Sequence, residues 1–374
     1  MKICFFNVTT TVLVGGLETY CISVASELAK LGCEVDILGG HPAGSEPIQI
    51  PDVRVVTFPF YPAEKVPIGG TRGSRLIERL TFAYNARHFF LSQDYDVVVI
   101  VKPFDFHAMC WFRRKKDFKV VYRSGGREFY ITDRLFSRCV DYFISSSHYN
   151  AAQVQDHYKV PVEVIHNGVD INKFKPRKRN LNLADRLGLK DSKVIITIGR
   201  LVGWKGLQVL MGALPDIKKA IPNVRWIVVG GGPYRDALQL KCRELKLQDS
   251  VVFSGEIPHD RLPEFISLAD VMVQPSIAEE AFGITLVEAM ACGIPAVGSR
   301  IGGIPEIIVH GQTGFLVPPR DKEALAEAII KVLHDDHLRR RYGANSRERV
   351  VEHFTWASNA RRLLEIFRSL SEGK

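Results

Sequence analysis

No uninterrupted apolar run among the 374 residues exceeds five, as in VVVIV at 97–101. A membrane-crossing helix needs roughly 20 such residues. The chain is therefore not expected to span a bilayer, and this run reads instead as a buried strand. Cysteine is scarce and forms no pattern: seven residues, no C-x-x-C and no Cys/His cluster. An odd, scattered set argues against a disulfide framework and against structural zinc, and points to reduced thiols in a cytoplasmic compartment. The absence of low-complexity tracts and short-period repeats removes extended disorder and solenoids. No G-x-G-x-x-G follows the first apolar segment, where a dinucleotide-dependent oxidoreductase would carry it. The opening MKICFFNVTTTVLVGG has the composition of a secretory leader. Asn7, Thr9, Thr10 and Thr11 interrupt it and a helical pattern follows directly, so no leader is expected.

The length fits two domains rather than one core. The net charge of +9 is uneven, with 24 Lys and Arg against 18 Asp and Glu over residues 1–179. The excess gathers in RRKKDFK (113–119) and TRGSRLIERLTFAYNARHFF (71–90), where basic residues alternate with Leu, Ile and aromatics. Such patches suit an anionic surface, whether phosphate-bearing lipid, polyanionic glycan or nucleic acid. The alternative is the solvated face of a packed helix.

KICFFN (2–7) reads as a strand, LETYCISVASELAKLG (17–32) as an amphipathic helix and EVDILGG as a second strand, so the chain opens as a βαβ unit. DVVVIV, FKVVYRS and DYFISSS are further strands, and their consecutive β-branched and aromatic residues suit a parallel sheet covered on both faces. After VEVIHNGVDINKFKPRKRN the composition turns basic, and the alternation restarts with KVIITIGR (193–200), a helix at 206–220, VRWIVVGGGP, VVFSGEI and VMVQPS. A linker is expected near 171–190. That divides the chain into 1–178 and 179–355, with an amphipathic tail helix at 356–370 that must dock elsewhere.

Three glycine-rich turns follow strands in the second half: GRLVGWKG (199–206), GGGP (230–233) and the AFGITLVE turn. Ligands of open parallel sheets sit at the carboxyl ends of the strands, where a helix start offers free N–H groups to a phosphate. Arg200 and Lys205 share one such loop. A guanidinium fork and an ammonium point charge are suited to the two phosphates of a diphosphate. Glu280 and Glu288 flank the turn Phe282-Gly283-Ile284-Thr285 with seven residues between them. If a helix starts near Gly283, its first free N–H groups are those of about 283–286 and Glu288 lies one turn further on. Carboxylates repel phosphates, so these two are expected to accept hydrogen bonds from sugar hydroxyls on either side of the diphosphate. Thr285 adds a hydroxyl. Taken singly, Glu280 also reads as a helix-dipole partner and Glu288 as a solvated helix residue. Asp94-Tyr95-Asp96 imitates a D-x-D metal motif but stands before a strand of the first half, and reads as a strand-flanking turn. His107, after KPFDF, stands at a strand end.

With these segments in hand, the chain resembles the retaining GT-B glycosyltransferases of family 4. The resemblance rests on GGLETYCISVASELAKLGCEVDIL, VIHNGVDINKF, IGRLVGWKG, VVGGGP, LADVMVQPS, EAFGITLVEAMACGIPAV, GGIPEII and GQTGFLV, in that order over nearly the whole length. It implies an α/β fold of two Rossmann-like domains with parallel sheets facing across a cleft, an N-terminal acceptor-binding domain, a C-terminal domain for a nucleotide-diphosphate-sugar, and a last helix (356–374) crossing back to the first domain. By the same resemblance Arg200 and Lys205 meet the diphosphate, Glu288 the ribose, Gly255 and Glu256 the base, and Phe282, Gly283, Ile284 and Thr285 line the donor site. Glu280, His107 and Gly16 would stand at the reaction centre. The implied chemistry is retaining transfer without a required metal or other cofactor, to a glycan, glycolipid or lipid-linked acceptor, with no nucleic-acid partner; the basic patches at 71–90 and 113–119 add an expected peripheral contact with an anionic inner membrane face.

One departure from the family pattern concerns the acceptor side. Many relatives place a histidine at the end of a central strand where this chain has YRSGGREF (122–129), so Arg123, Arg127 or His107 must take its place. A nucleotide-sugar epimerase or a non-catalytic sugar-nucleotide-binding protein of the same architecture are the competing readings.

Overall fold

The structure, a computed structural model, describes residues 1–13, 15–41, 48–66, 70–130 and 132–372. The chain divides into two compact units, Met1–Gly168 with Trp356–Lys374, and Val169–Thr355; residues 373–374 of the tail lie outside the described residues. Among the described residues, no helix is long and apolar enough to cross a membrane.

The first unit is built on β1 (Lys2–Phe6), β2 (Glu34–Gly40), β3 (Val53–Phe58), β4 (Val97–Ile100), β5 (Lys119–Ser124), β6 (Tyr142–Ser145) and β7 (Glu163–Val164). They pair in the order β3-β2-β1-β4-β5-β6-β7, all parallel. The four aliphatic residues of β4 are all buried, which a strand tolerates only when both faces of its sheet are covered. One cover is the helix Gly16–Lys30, which buries Tyr20, Cys21, Val24, Ala25 and Leu28 at helical spacing. The tail forms the helix Trp356–Glu372 and docks beside it. Trp356 meets Tyr20 edge-on with ring centroids 6.1 Å apart, and Asn359 donates to the His166 carbonyl at 2.7 Å. The Asp94-Tyr95-Asp96 segment is a strand-flanking turn: Asp94 pairs with Lys116 at 2.6 Å and Asp96 accepts the Lys2 N–H at 2.7 Å.

The second unit comprises β8 (Lys193–Ile198), β9 (Val224–Val229), β10 (Val251–Gly255), β11 (Val271–Gln274), β12 (Ala296–Ser299) and β13 (Gly314–Val317). Their order is β10-β9-β8-β11-β12-β13, again parallel throughout. Strand order reverses between β1 and β4 in one sheet and between β8 and β11 in the other. Successive loops diverge there and leave a crevice at the carboxyl edge.

The expected linker near 171–190, and with it a boundary at 178, is corrected by the structure. Val169 already belongs to the second unit, where its N–H donates to the Phe354 carbonyl at 2.9 Å. Phe174 is fully buried in that unit's core, and Arg347 donates to the carbonyls of Ile171 and Phe174. The lysines and arginines that made this stretch look solvated surround apolar anchors that pack.

Candidate functional site

At the switch point of the second unit, β8 ends at Ile198 and leads through Gly199 and Arg200 into a tight loop. β11 ends at Gln274 and leads through Pro275 and Ser276 to Glu280. The two loops are fastened together. Ile277 N–H donates to the Trp204 carbonyl at 2.9 Å, and Gly206, at φ 73°, lies against the Pro275 carbonyl, where any Cβ would overlap it. This approach brings Lys205 Nζ to 2.7 Å from Glu280 Oε2, and Ser276 Oγ lies 3.4 Å from the same oxygen. From the other side, Gly303 N–H donates to the Glu280 carbonyl at 2.8 Å, and Gly302, at φ 59°, leaves room for the Glu280 backbone. Arg200 is exposed, and among the described residues its guanidinium has no acidic partner. A hollow between the strand ends is lined by Gly199, Arg200, Lys205, Gln274 and Pro275. The amide of Gln274 is buried there with neither its oxygen nor its nitrogen hydrogen-bonded.

The helix Ile284–Ala291 starts after Gly283, whose φ of 128° is closed to ordinary side chains. Leu286 N–H turns back to the Gly283 carbonyl at 3.0 Å. The N–H groups of Ile284 and Thr285 find no acceptor among the described residues and stand available to an anion. The Thr285 hydroxyl donates to the Ile198 carbonyl at 3.2 Å, which ties the helix start to β8 and leaves only the oxygen's lone pairs for a ligand. Phe282 turns its ring into the core, 5.7 Å from Phe354, so at that position the backbone alone faces the turn. Gly255 ends β10 at φ 73° with open space around it, and Glu256 is exposed beside Gly231.

Glu288 is 2% exposed. Its Oε1 lies 2.6 Å from His259 Nε2, and the other ring nitrogen of that histidine is 3.1 Å from Lys173 Nζ. Its Oε2 is buried without a partner. Both glutamates therefore have partners, Lys205 and His259, that sequence spacing did not reveal.

In the first unit, Gly16 is the exposed first residue of the helix Gly16–Lys30. The sterically demanding position is its neighbour Gly15, where a Cβ would come within 2.6 Å of Glu18 Oε2. Glu18, which no spacing or motif singled out, is buried and accepts from Thr9 Oγ1 at 2.6 Å. Around it lie other residues at the carboxyl ends of β1, β4 and β5. Asn7 Oδ1 accepts from Arg79 at 2.8 Å, Arg79 pairs with the buried Asp105, and Lys102 pairs with Glu128. Burial pushes Asp105 up to about 6, with Arg79 opposing. Arg123 is buried over the Tyr20 ring, 4.1 Å from its centroid, and donates to Asn167 Oδ1. Its Nε is unpartnered, and no carboxylate offsets its charge among the described residues. Burial pulls its pKa down. Arg127 is exposed. His107 sits 3.1 Å from the Tyr130 hydroxyl through Nδ1, with its ring centroid 3.9 Å from that of Phe136. Burial lowers its pKa below the ordinary 6.5, which favours the neutral ring. The packing around it is that of a structural histidine.

Two family models match the chain: Glycosyltransferase Family 4 over residues 14–173 and Glycosyl transferases group 1 over residues 181–349. The GDP-mannose-dependent alpha-(1-6)-phosphatidylinositol monomannoside mannosyltransferase of Mycolicibacterium smegmatis is 33% identical over 214 residues, 55% of this chain and 56% of that protein. The chain thus spans about half the length of this relative. The D-inositol 3-phosphate glycosyltransferase of Corynebacterium urealyticum is 29% identical over 95% of this chain and 91% of its own. Among solved structures, sucrose-phosphate synthase from Thermosynechococcus elongatus superposes with a TM-score of 0.86 at 25% identity, covering 100% of both chains. HepE from Anabaena, in complex with UDP and glucose, shares the fold with a TM-score of 0.82 at 22% identity over 99% of this chain and 100% of its own.

Proposed function

The chain belongs to the group 1 glycosyl transferases of family 4, and from that premise we propose that it moves a sugar, with retention at the anomeric carbon, from a nucleotide-diphosphate-sugar to a glycan or lipid-linked acceptor. The observation that carries this reading is the meeting, at one sheet edge of the second unit, of Arg200, the Lys205–Glu280 pair and the open N–H groups of Ile284 and Thr285. Cations and N–H donors converging beside a carboxylate suit a diphosphate whose sugar is held by that carboxylate. An epimerase reading has no comparable support, since the relatives named above are transferases.

In the transfer, the acceptor oxygen bonds to the anomeric carbon on the face from which the diphosphate departs. The C–O bond to the phosphate breaks, its electron pair goes to the leaving group, and the acceptor proton follows to a phosphate oxygen. Arg200, Lys205 and the Ile284 and Thr285 N–H groups stabilise the charge that develops on the diphosphate. Glu280 Oε2 is occupied by Lys205 and Ser276, leaving Oε1 to accept a hydroxyl of the transferred sugar. An ion-paired carboxylate is a poor nucleophile, which favours this binding role over a covalent one. Glu288 takes the ribose, and Gly255 and Glu256 take the base. On the acceptor side we assign Gly16 and the cluster around Glu18 and Arg123, with His107 supporting it. The uncompensated Arg123 suits an anionic acceptor, in keeping with the inositol phosphate in one relative's name.

Membrane proximity completes the reading. On the helix Gly70–Ser92, Ile77, Leu80 and Tyr84 are exposed at helical spacing, and Arg87 stacks on Tyr84 at 3.7 Å. An apolar stripe edged with arginines suits the inner, anionic face of a membrane and hence a cytoplasmic, peripheral enzyme.

Replacing Arg200 and Lys205 together by alanine should weaken UDP or GDP binding at least tenfold while leaving uridine or guanosine nearly unaffected. Equal losses for diphosphate and nucleoside would refute the phosphate role.

A further inference from the structure

The surroundings of Glu288 go beyond what a ribose-binding carboxylate requires. Three residues far apart in the chain form a line: Lys173 where the second unit begins, His259 in the loop after β10, and Glu288 in the helix after Gly283. An ammonium has no lone pair, so at 3.1 Å from Lys173 the Nδ1 of His259 must accept. The ring proton is then on Nε2 and points at Glu288 Oε1, 2.6 Å away. Phe174 packs on the same ring, with centroids 5.3 Å apart, which fixes its plane. Lys173 thereby sets the tautomer and His259 fills one of the two carboxylate oxygens. The other, Oε2, is buried and unserved. A buried carboxylate oxygen without a donor is costly, and the described residues offer none.

We infer that His259, seated by Lys173, is a positioning residue that reserves Glu288 Oε2 for a ribose hydroxyl, an inference that rests on the donor reading above. Without the imidazole both oxygens of Glu288 would be buried and unpaired. The carboxylate would then be free to turn and would lose its aim at the hydroxyl. An imidazole suits this position because it accepts on one side and donates on the other. A glutamine amide does the same, and an alanine does neither.

The experiment is calorimetric titration of the full chain with UDP, GDP and their 2′-deoxy counterparts. The wild type should prefer the ribonucleotide of the pair it binds. His259→Ala should weaken that ribonucleotide about tenfold and its 2′-deoxy analogue far less, so that the preference collapses. His259→Gln should restore it. Lys173→Met, which leaves the ring in place, should erode the preference in the same direction and serves if the alanine variant fails to fold. A folded His259→Ala or Lys173→Met protein that keeps the full preference overturns the inference while leaving the donor site standing. Equal weakening of both nucleotides also overturns it. Wild-type protein that binds none of the four removes the donor reading, and this inference with it.

Discussion

Replacing Gly206 by alanine probes the contact on which the donor site depends. Gly206 holds φ 73°, and a Cβ there would lie 2.8 Å from the Pro275 carbonyl carbon and 3.0 Å from Ile277 Cγ2, and would overlap the carbonyl oxygen outright. A left-handed alanine costs about 1 kcal/mol, and the overlap adds about 1 to 3 kcal/mol, the range of overpacked interiors. The sum of roughly 2 to 4 kcal/mol corresponds to a melting temperature lower by on the order of 10 °C for a unit of this size. The strain is relieved by parting the two loops, which breaks the Ile277–Trp204 hydrogen bond and carries Lys205 away from Glu280. Affinity for UDP or GDP should therefore fall at least tenfold even where the protein is folded. Gly203→Ala is the control on the same loop: its Cβ would meet nothing closer than 3.8 Å, and it should change stability by less than about 0.5 kcal/mol. Thermal denaturation and nucleotide titration of both variants decide the matter. A Gly206→Ala protein that melts and binds like Gly203→Ala would refute the claim that this backbone approach builds the site.

Glu280→Gln keeps the shape of the side chain but removes the charge that pairs with Lys205; transfer measured with a radiolabelled donor should fall by about 100-fold or more while nucleotide binding persists, and unchanged turnover would remove Glu280 from the reaction. His107 binds its proton less readily folded than unfolded, so below its ordinary 6.5 the unfolded state takes up more protons and stability falls with falling pH. His107→Phe should flatten that decline in urea titrations run from pH 7 to pH 5. An unaltered slope would show that the histidine is not the source, and loss of transfer with stability intact would restore His107 to the reaction centre. Leu80→Glu with Tyr84→Glu should abolish co-sedimentation with anionic vesicles at low salt and leave uncharged vesicles unbound as before; retained binding would move the membrane surface elsewhere.

The legible parts of this protein are those written in contiguous residues. β4 could be read because four consecutive aliphatics need two covered faces. Glu280, Glu288, Arg200 and Lys205 could be named because each lies in a short strand-turn-helix segment whose geometry follows from local spacing. β3 was passed over because, as an edge strand, only its first residue is buried and its apolar pattern is weak. The linker was misjudged for the opposite reason: charge density around Phe174 hid an anchor that packs.

What local spacing cannot carry is pairing across the fold. Lys205 and Glu280 are 75 residues apart and Lys173 and His259 are 86 apart, and no periodicity connects them. Hydrophobic patterning, strand order and the place of a helix start follow from interactions within a few residues, so a single pass along the chain reveals the two-unit α/β plan and the segments that bear the chemistry. Which cation meets which carboxylate, which glutamate oxygen is left open, and that the Phe282 ring belongs to the core depend on loops from different strands converging at a switch point. Those contacts exist only after the sheet has formed.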